Sequence, residues 1–123
     1  MKEITYIHTE AFAAGELKHG SIALIEPGTP VIVVATQSNL LEKTVSNMKE
    51  LKARGAHITT IARRSCKEAI EASDEFIGID DIDDVFSVLL AIIPLQLLSY
   101  FTSVEKGIDV DKPRNLAKSV TVE

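Results

Sequence analysis

The chain has 123 residues, of which 46% are hydrophobic and 25% are charged, as expected for one globular domain with its own core. Its net charge of -5 argues against a basic nucleic-acid-binding surface, and its single cysteine, Cys66, excludes an intrachain disulfide framework. The first residues lack the apolar core of a signal peptide, so the sequence predicts a protein of the reducing cytoplasm.

The first third of the chain predicts an extended segment, a broken helix and a strand. Weak alternation of apolar and polar residues indicates extended structure over residues 4–12. Residues 13–25 have a helical pattern in their first part, which Gly20 interrupts. The run at residues 31–35 is mostly β-branched and does not alternate, which is typical of a parallel strand covered on both faces.

An amphipathic helix is predicted next. Ser38 and Asn39 are suited to cap its start, because Glu42 follows Asn39 by three residues. Gly55 comes directly after a basic stretch and predicts the end of the helix. Four apolar residues fall on one face of this helix: Leu41, Val45, Met48 and Leu51.

The second half of the chain continues to alternate strands and helices. Residues 57–61 and 75–79 predict strands, and residues 66–72 predict a short helix. Strands that alternate with helices indicate an α/β fold with a parallel sheet and right-handed crossovers.

A long apolar helix is predicted from residue 85 to about residue 106, closed by Gly107. Four aspartates precede it, at positions 80, 81, 83 and 84, and negative charge favours a helix start. Because the apolar run is short for a membrane span and contains polar residues, a buried helix is preferred to a transmembrane one.

Few side chains are candidates for chemistry, and each has a plain structural explanation. Glu3 fits an exposed helix charge, and His19 fits a cation at a helix C-terminus. Lys118 fits a solvated tail charge, although a primary amine in a docked tail is also a candidate to capture a carbonyl group. The loop at residues 35–39 precedes a helix, where anions bind, but it contains no glycine and predicts phosphate binding only weakly. The three histidines are widely spaced and give little support to a metal site.

Three segments are long enough to act as family motifs: EAFAAGELKHG at residues 10–20, PLQLLSY at residues 94–100, and DVDKPRNLAKSVTVE at residues 109–123. They resemble the isomerase half of the glucosamine-6-phosphate synthases, the glutamine:fructose-6-phosphate amidotransferases. The resemblance implies a sugar isomerase (SIS) domain at residues 1–108, the second of two such domains, followed by a catalytic tail. The implied fold is a Rossmann-like, three-layer α/β sandwich that lacks its first strand.

The resemblance also implies roles for single residues. Lys118 matches the lysine that captures open-chain fructose 6-phosphate as a Schiff base. Glu3 matches the glutamate that moves a proton between C1 and C2 of the sugar. His19 matches a histidine that assists ring opening from the neighbouring subunit, and the backbone around Ala117 would lie beside the sugar. The family chemistry needs no cofactor or metal.

Parts of such an enzyme would have to come from outside this chain: the glutaminase domain, the first SIS domain and the strand that opens the family's second domain. The expected ligands are fructose 6-phosphate and glucosamine 6-phosphate, with neither a nucleic acid nor a membrane as partner. An open inner sheet edge favours a homodimer, or dependence on the missing parts, and the chain is expected to be inactive alone.

Two alternatives to this enzyme remain. One is a stand-alone SIS module that binds a sugar phosphate without turnover, although a module of that kind would not need both Glu3 and Lys118. The other is a different sugar-phosphate isomerase or deglycase, which the tail motif disfavours.

Overall fold

The computed structural model of the protein describes residues 1–114. These residues belong to two compact units. The larger unit comprises Ala11–Pro94, and the smaller unit combines Met1–Glu10 with residues 95–114. The sheet lies entirely within the larger unit.

The larger unit is built on three parallel strands, β1 (Pro30–Ala35), β2 (His57–Arg63) and β3 (Glu75–Ile79), hydrogen-bonded in the order β1-β2-β3. In the register of β1 and β2, Val33 lies opposite Thr60. The predicted α/β fold with a parallel sheet is confirmed, and so are the three predicted strands. The bounds of β3 are those predicted, and the other two strands are longer by one or two residues.

One face of the sheet packs against two helices, α2 (Leu41–Ala53) and α3 (Lys67–Ala72). The predicted apolar face of α2 is confirmed, because Val45, Met48 and Leu51 are buried. Together with residues of the sheet and of α3 they form one apolar core, whose other buried members are Val33, Ala35, Ala56, Ile58, Ala62, Ala69 and Ala72. Burial of a large apolar side chain is worth roughly 1.5–3 kcal/mol, so this core fixes both helices to the sheet.

The opposite face of the sheet is covered unevenly. The central strand β2 is buried on both sides, since Ile58 and Ile61 point to opposite faces and each is about 1% exposed or less. In the edge strand β1, however, Ile32 is 38% exposed and Val34 is 44% exposed. The prediction that residues 31–35 are covered on both faces is therefore wrong, because only the side of β1 that faces the core is packed.

The two ends of α2 differ in how they are formed. The predicted cap by Ser38 and Asn39 is wrong: a 3₁₀ turn, Ser38–Leu40, precedes the helix, which has no side-chain cap. The predicted end at Gly55 is confirmed, with φ +89° in the left-handed region. A Cβ atom at this position would lie 2.8 Å from the Cα atom of Pro27, so the turn requires glycine for space as well as for conformation.

The segment before β1 contains 3₁₀ helix where an α-helical pattern was predicted. Two 3₁₀ helices, Ala14–His19 and Ser21–Leu24, are separated by Gly20 at φ +151°. The predicted interruption at Gly20 is confirmed. These short helices have no buried residues of their own.

The prediction of an extended segment at residues 4–12 is wrong. The smaller unit begins with a one-turn helix, α1 (Lys2–Thr5), and no strand follows it before β1. The Thr5 hydroxyl is buried and donates to the carbonyl of Met1 at 3.0 Å, which closes this turn. This hydrogen bond accounts for the helical turn at residues 4 and 5, while residues 6–12 form neither helix nor strand.

The predicted long helix is confirmed as α4 (Asp84–Glu105), followed by Gly107 at φ +67°. The prediction that it is buried is wrong: Ser87 and Ala91 are buried, but Leu89 is 62% exposed, like most large apolar side chains of the helix. A helix that is apolar all round has no periodicity to show which side is covered. Within residues 1–114, α4 alone is long and apolar enough to cross a membrane by length and composition, and 11% of its apolar window is buried.

Candidate functional site

Glu3 lies on α1, in the smaller unit, and its side chain is exposed to solvent. The helix that carries it is held by contacts within the same unit. The Ser103 hydroxyl, which is fully buried, donates to the carbonyl of Ile4 at 2.5 Å. This hydrogen bond joins α1 to the C-terminal end of α4 and fixes the turn from which Glu3 projects.

The C-terminal segment returns to α1 in the same unit. After Gly107 the chain reaches Arg114, whose backbone N–H donates to the Tyr6 hydroxyl at 2.7 Å. The Arg114 guanidinium carbon lies 4.0 Å from the centre of the Tyr6 ring, within the range of a cation–π contact. Lys118 and Ala117, the tail residues predicted to act on the sugar, lie outside the described residues.

His19 lies in the larger unit, at the last position of the 3₁₀ helix Ala14–His19, and it is exposed. Its predicted place at a helix C-terminus is confirmed. The neighbouring Lys18 ammonium pairs with the Glu50 carboxylate at 2.5 Å and ties this segment to α2. Glu3 and His19 therefore belong to different units, each on an anchored local element.

An ionic cluster that the sequence did not predict lies after the strands of the larger unit. The Asp84 carboxylate accepts hydrogen bonds from the backbone N–H of Ser38 at 2.9 Å and from the Ser38 hydroxyl at 2.6 Å. It also pairs with the Arg63 guanidinium. The loop at residues 35–39 was a weak candidate for phosphate binding. Its donors at Ser38 instead bind the carboxylate of Asp84.

These contacts shift the ionisation of both charged partners. Hydrogen bonds from Ser38, and then from Arg63, lower the pKa of Asp84 to about 2. The hydrogen bond to Asp84 raises the pKa of Arg63. Asp84 is therefore a carboxylate and Arg63 a guanidinium at physiological pH, and the two form a charged pair.

The other aspartates that precede α4 also contact the ends of the strands. The Ser65 hydroxyl donates to Asp81 at 2.5 Å, and Arg64 pairs with Asp80 at 3.5 Å. The acidic run was predicted only to favour the start of a helix. One feature of the sequence could have predicted these contacts. In a parallel sheet the residues that follow each strand meet at one edge. Here serine and arginine follow β1 and β2, and aspartates follow β3.

The fold and the placement of these groups define a class: α/β proteins with a parallel sheet whose polar groups gather at the carboxyl ends of the strands. The chain belongs to the SIS domain family, whose model matches residues 1–104.

Relatives match the whole chain. A glutamine–fructose-6-phosphate aminotransferase (isomerizing) of Clostridium tetani is 61% identical over 123 residues, which are 100% of this chain and 20% of that protein. The enzyme of the same name from Methanothermobacter thermautotrophicus is 53% identical over 124 aligned residues, again 100% of this chain, and 21% of its own length. The chain thus spans about a fifth of the curated relatives that it matches.

A solved structure shows the same fold. The C-terminal domain of glucosamine-fructose-6-phosphate aminotransferase from Francisella tularensis superposes with a TM-score of 0.83 at 41% sequence identity. The match covers 90% of this chain and 31% of that one. The predicted similarity to an SIS domain of this enzyme family is confirmed.

Proposed function

We propose that this chain is the C-terminal part of the isomerase moiety that converts fructose 6-phosphate and ammonia to glucosamine 6-phosphate. The observation that carries the proposal is the sequence identity of 61% over all 123 residues to a protein named for that reaction. The region of similarity includes both the helix with Glu3 and the tail with Lys118.

In the proposed mechanism the Lys118 amine adds to the C2 carbonyl of open-chain fructose 6-phosphate and expels water as the imine forms. Ammonia then replaces the lysine on C2. Glu3 takes a proton from C1 and returns it to C2, and the proton of the O1 hydroxyl passes to the nitrogen, so that C1 becomes an aldehyde while C2 becomes an amine. The oxidation of C1 balances the reduction of C2, and the step needs no external electron acceptor. Glu3 is exposed on α1 and is therefore accessible to a substrate.

His19 is proposed to assist ring opening by giving a proton to the ring oxygen. Its exposed position at the end of a 3₁₀ helix suits a residue that serves the site of a second copy in a homodimer. The backbone at Ala117, next to Lys118, is proposed to contact the sugar. The protein is proposed to act in the cytoplasm, with no nucleic acid or membrane as partner.

The chain spans 20% of its relative, so the glutaminase domain and a first SIS domain are proposed partners. The Ser38 donors already serve Asp84, which supports phosphate binding by a domain other than this one.

The test is an assay with fructose 6-phosphate and free ammonia, on the chain alone and with a first SIS domain from a relative. Glucosamine 6-phosphate formed only on complementation is the expected result. Sugar binding without product in both mixtures would instead identify a non-catalytic SIS module.

The role of Lys118 is tested by trapping. Borohydride reduces an imine to a stable amine, so treatment of the complemented chain with fructose 6-phosphate and borohydride should attach the sugar to the protein. Lys118→Arg should abolish this adduct, because the guanidinium stays protonated and does not form an imine. The matched control is Lys112→Arg in the same segment, which should trap as the parent does. An adduct that persists in Lys118→Arg would remove Lys118 from the mechanism.

A further inference from the structure

The contact between Arg114 and Tyr6 has two independent components. The backbone N–H of Arg114 donates to the Tyr6 hydroxyl at 2.7 Å, and the guanidinium carbon lies 4.0 Å from the centre of the Tyr6 ring. One component uses the main chain and the other uses the side chain. The pair therefore fixes both the position of the chain at residue 114 and the direction of its side chain.

The backbone of Tyr6 adopts a conformation that is uncommon for this residue type. Its φ of +58° places it in the left-handed region, which residues other than glycine rarely enter. Its backbone N–H donates to the Lys2 carbonyl at 3.0 Å and so ends α1. The Tyr6 ring is thus held about one helical turn from Glu3, on a backbone conformation that costs free energy to maintain.

The contact also brings the last anchor within residues 1–114 closer in sequence to Lys118. Without it, the last anchor is Ile108, whose N–H donates to the Ser103 carbonyl at 2.9 Å, and Lys118 is ten residues further on. With it, the last anchor among the described residues is Arg114, four residues before Lys118. Covalent geometry limits the reach to about 35 Å in the first case and about 14 Å in the second.

We propose that Tyr6 and Arg114 are a positioning pair, which holds the base of the catalytic tail so that the Lys118 amine stays near the helix that carries Glu3. The inference rests on the proposed function. Because the effective concentration of a tethered group falls as about the −3/2 power of tether length, shortening it from ten residues to four raises the local concentration of the amine about fourfold.

The first test needs no activity, because Arg114 is itself a trypsin cleavage site. The protease must take the Arg114 side chain away from the Tyr6 ring before it cuts the bond to Asn115. Tyr6→Phe removes the hydrogen-bond acceptor and should speed cleavage about fivefold. This is the factor by which the loss of one intramolecular hydrogen bond raises the undocked population of the segment. Tyr6→Leu also removes the ring and should speed cleavage further. The matched control is Tyr100→Phe, whose hydroxyl makes no hydrogen bond within residues 1–114. Equal cutting rates in the parent and Tyr6→Phe would overturn the proposal.

The second test measures positioning, by the rate of borohydride trapping at Lys118 in the complemented chain. Tyr6→Leu, which removes both components of the contact, should lower this rate about fourfold, while Tyr100→Leu should leave it unchanged. A parent chain that traps and a Tyr6→Leu variant that traps equally fast would overturn the positioning role. If the parent forms no adduct but Tyr6→Phe is still cut faster, the contact anchors the tail and it is the proposed function that fails.

Discussion

At the scale of single residues, Asp84 does the most to connect distant parts of the larger unit. Its carboxylate accepts from Ser38, which follows β1, and from Arg63 at the end of β2. A third connection is covalent, since Asp84 is the first residue of α4. These contacts join residues up to 46 positions apart, so no local pattern could predict them. The sequence located Glu3 and His19 through resemblance to a family, because neither has a local environment that marks it as functional.

The lowered pKa of Asp84 makes a prediction about acid stability. A depressed carboxyl pKa adds stability that is complete above the unfolded value of about 3.9 and is lost as the pH falls through about 2. Asp84→Asn should therefore lower the urea midpoint at pH 7, and its difference from the parent should shrink between about pH 4 and about pH 2. Asp80→Asn removes the same charge from a side chain that is 86% exposed, and is the control. Equal effects of the two variants would show that the loss is one of net charge alone.

At the scale of elements, prediction succeeded where the residue pattern and the packing agree. The strand at residues 75–79 and the buried face of α2 follow from β-branched runs and helical spacing, which persist in the fold. It failed where a short segment is decided by a few contacts. The turn of α1 depends on the Thr5 hydroxyl, and α2 lacks its predicted cap because the 3₁₀ turn Ser38–Leu40 places Leu40 at the N-cap position.

The turn after α2 makes the second prediction. Gly55→Ala should destabilise the protein by about 1–3 kcal/mol, because the new Cβ atom would enter a left-handed backbone position and meet Pro27 at 2.8 Å. Gly15→Ala is the matched control: its φ is not positive and nothing lies within 4 Å of the added atom. Urea unfolding of both variants measures the difference. A Gly55→Ala midpoint equal to that of Gly15→Ala would mean that the turn tolerates a side chain.

At the scale of the whole molecule, the exposed apolar surface is the feature that the sequence did not predict. The prediction of a buried helix at residues 85–106 rested on composition, and composition does not show which surface covers the helix. Leu89 is 62% exposed and Val88 is 61% exposed, and Ile32 and Val34 of the edge strand are partly exposed. Large exposed apolar surfaces mark contacts with another protein or a membrane, and we propose that a second protein surface covers α4.

The proposed homodimer gives the last prediction. If a second copy covers α4, then Leu89→Lys should weaken association at least about tenfold, since the burial of one leucine is worth about 1.5–3 kcal/mol. Ser46→Lys adds the same charge at an exposed position on α2 and should leave association unchanged. Sedimentation of the parent and both variants over a range of concentrations gives the dissociation constants. A parent that sediments as a stable monomer would contradict the homodimer, and binding of the parent to lipid vesicles, abolished by Leu89→Lys, would show that α4 contacts a membrane instead.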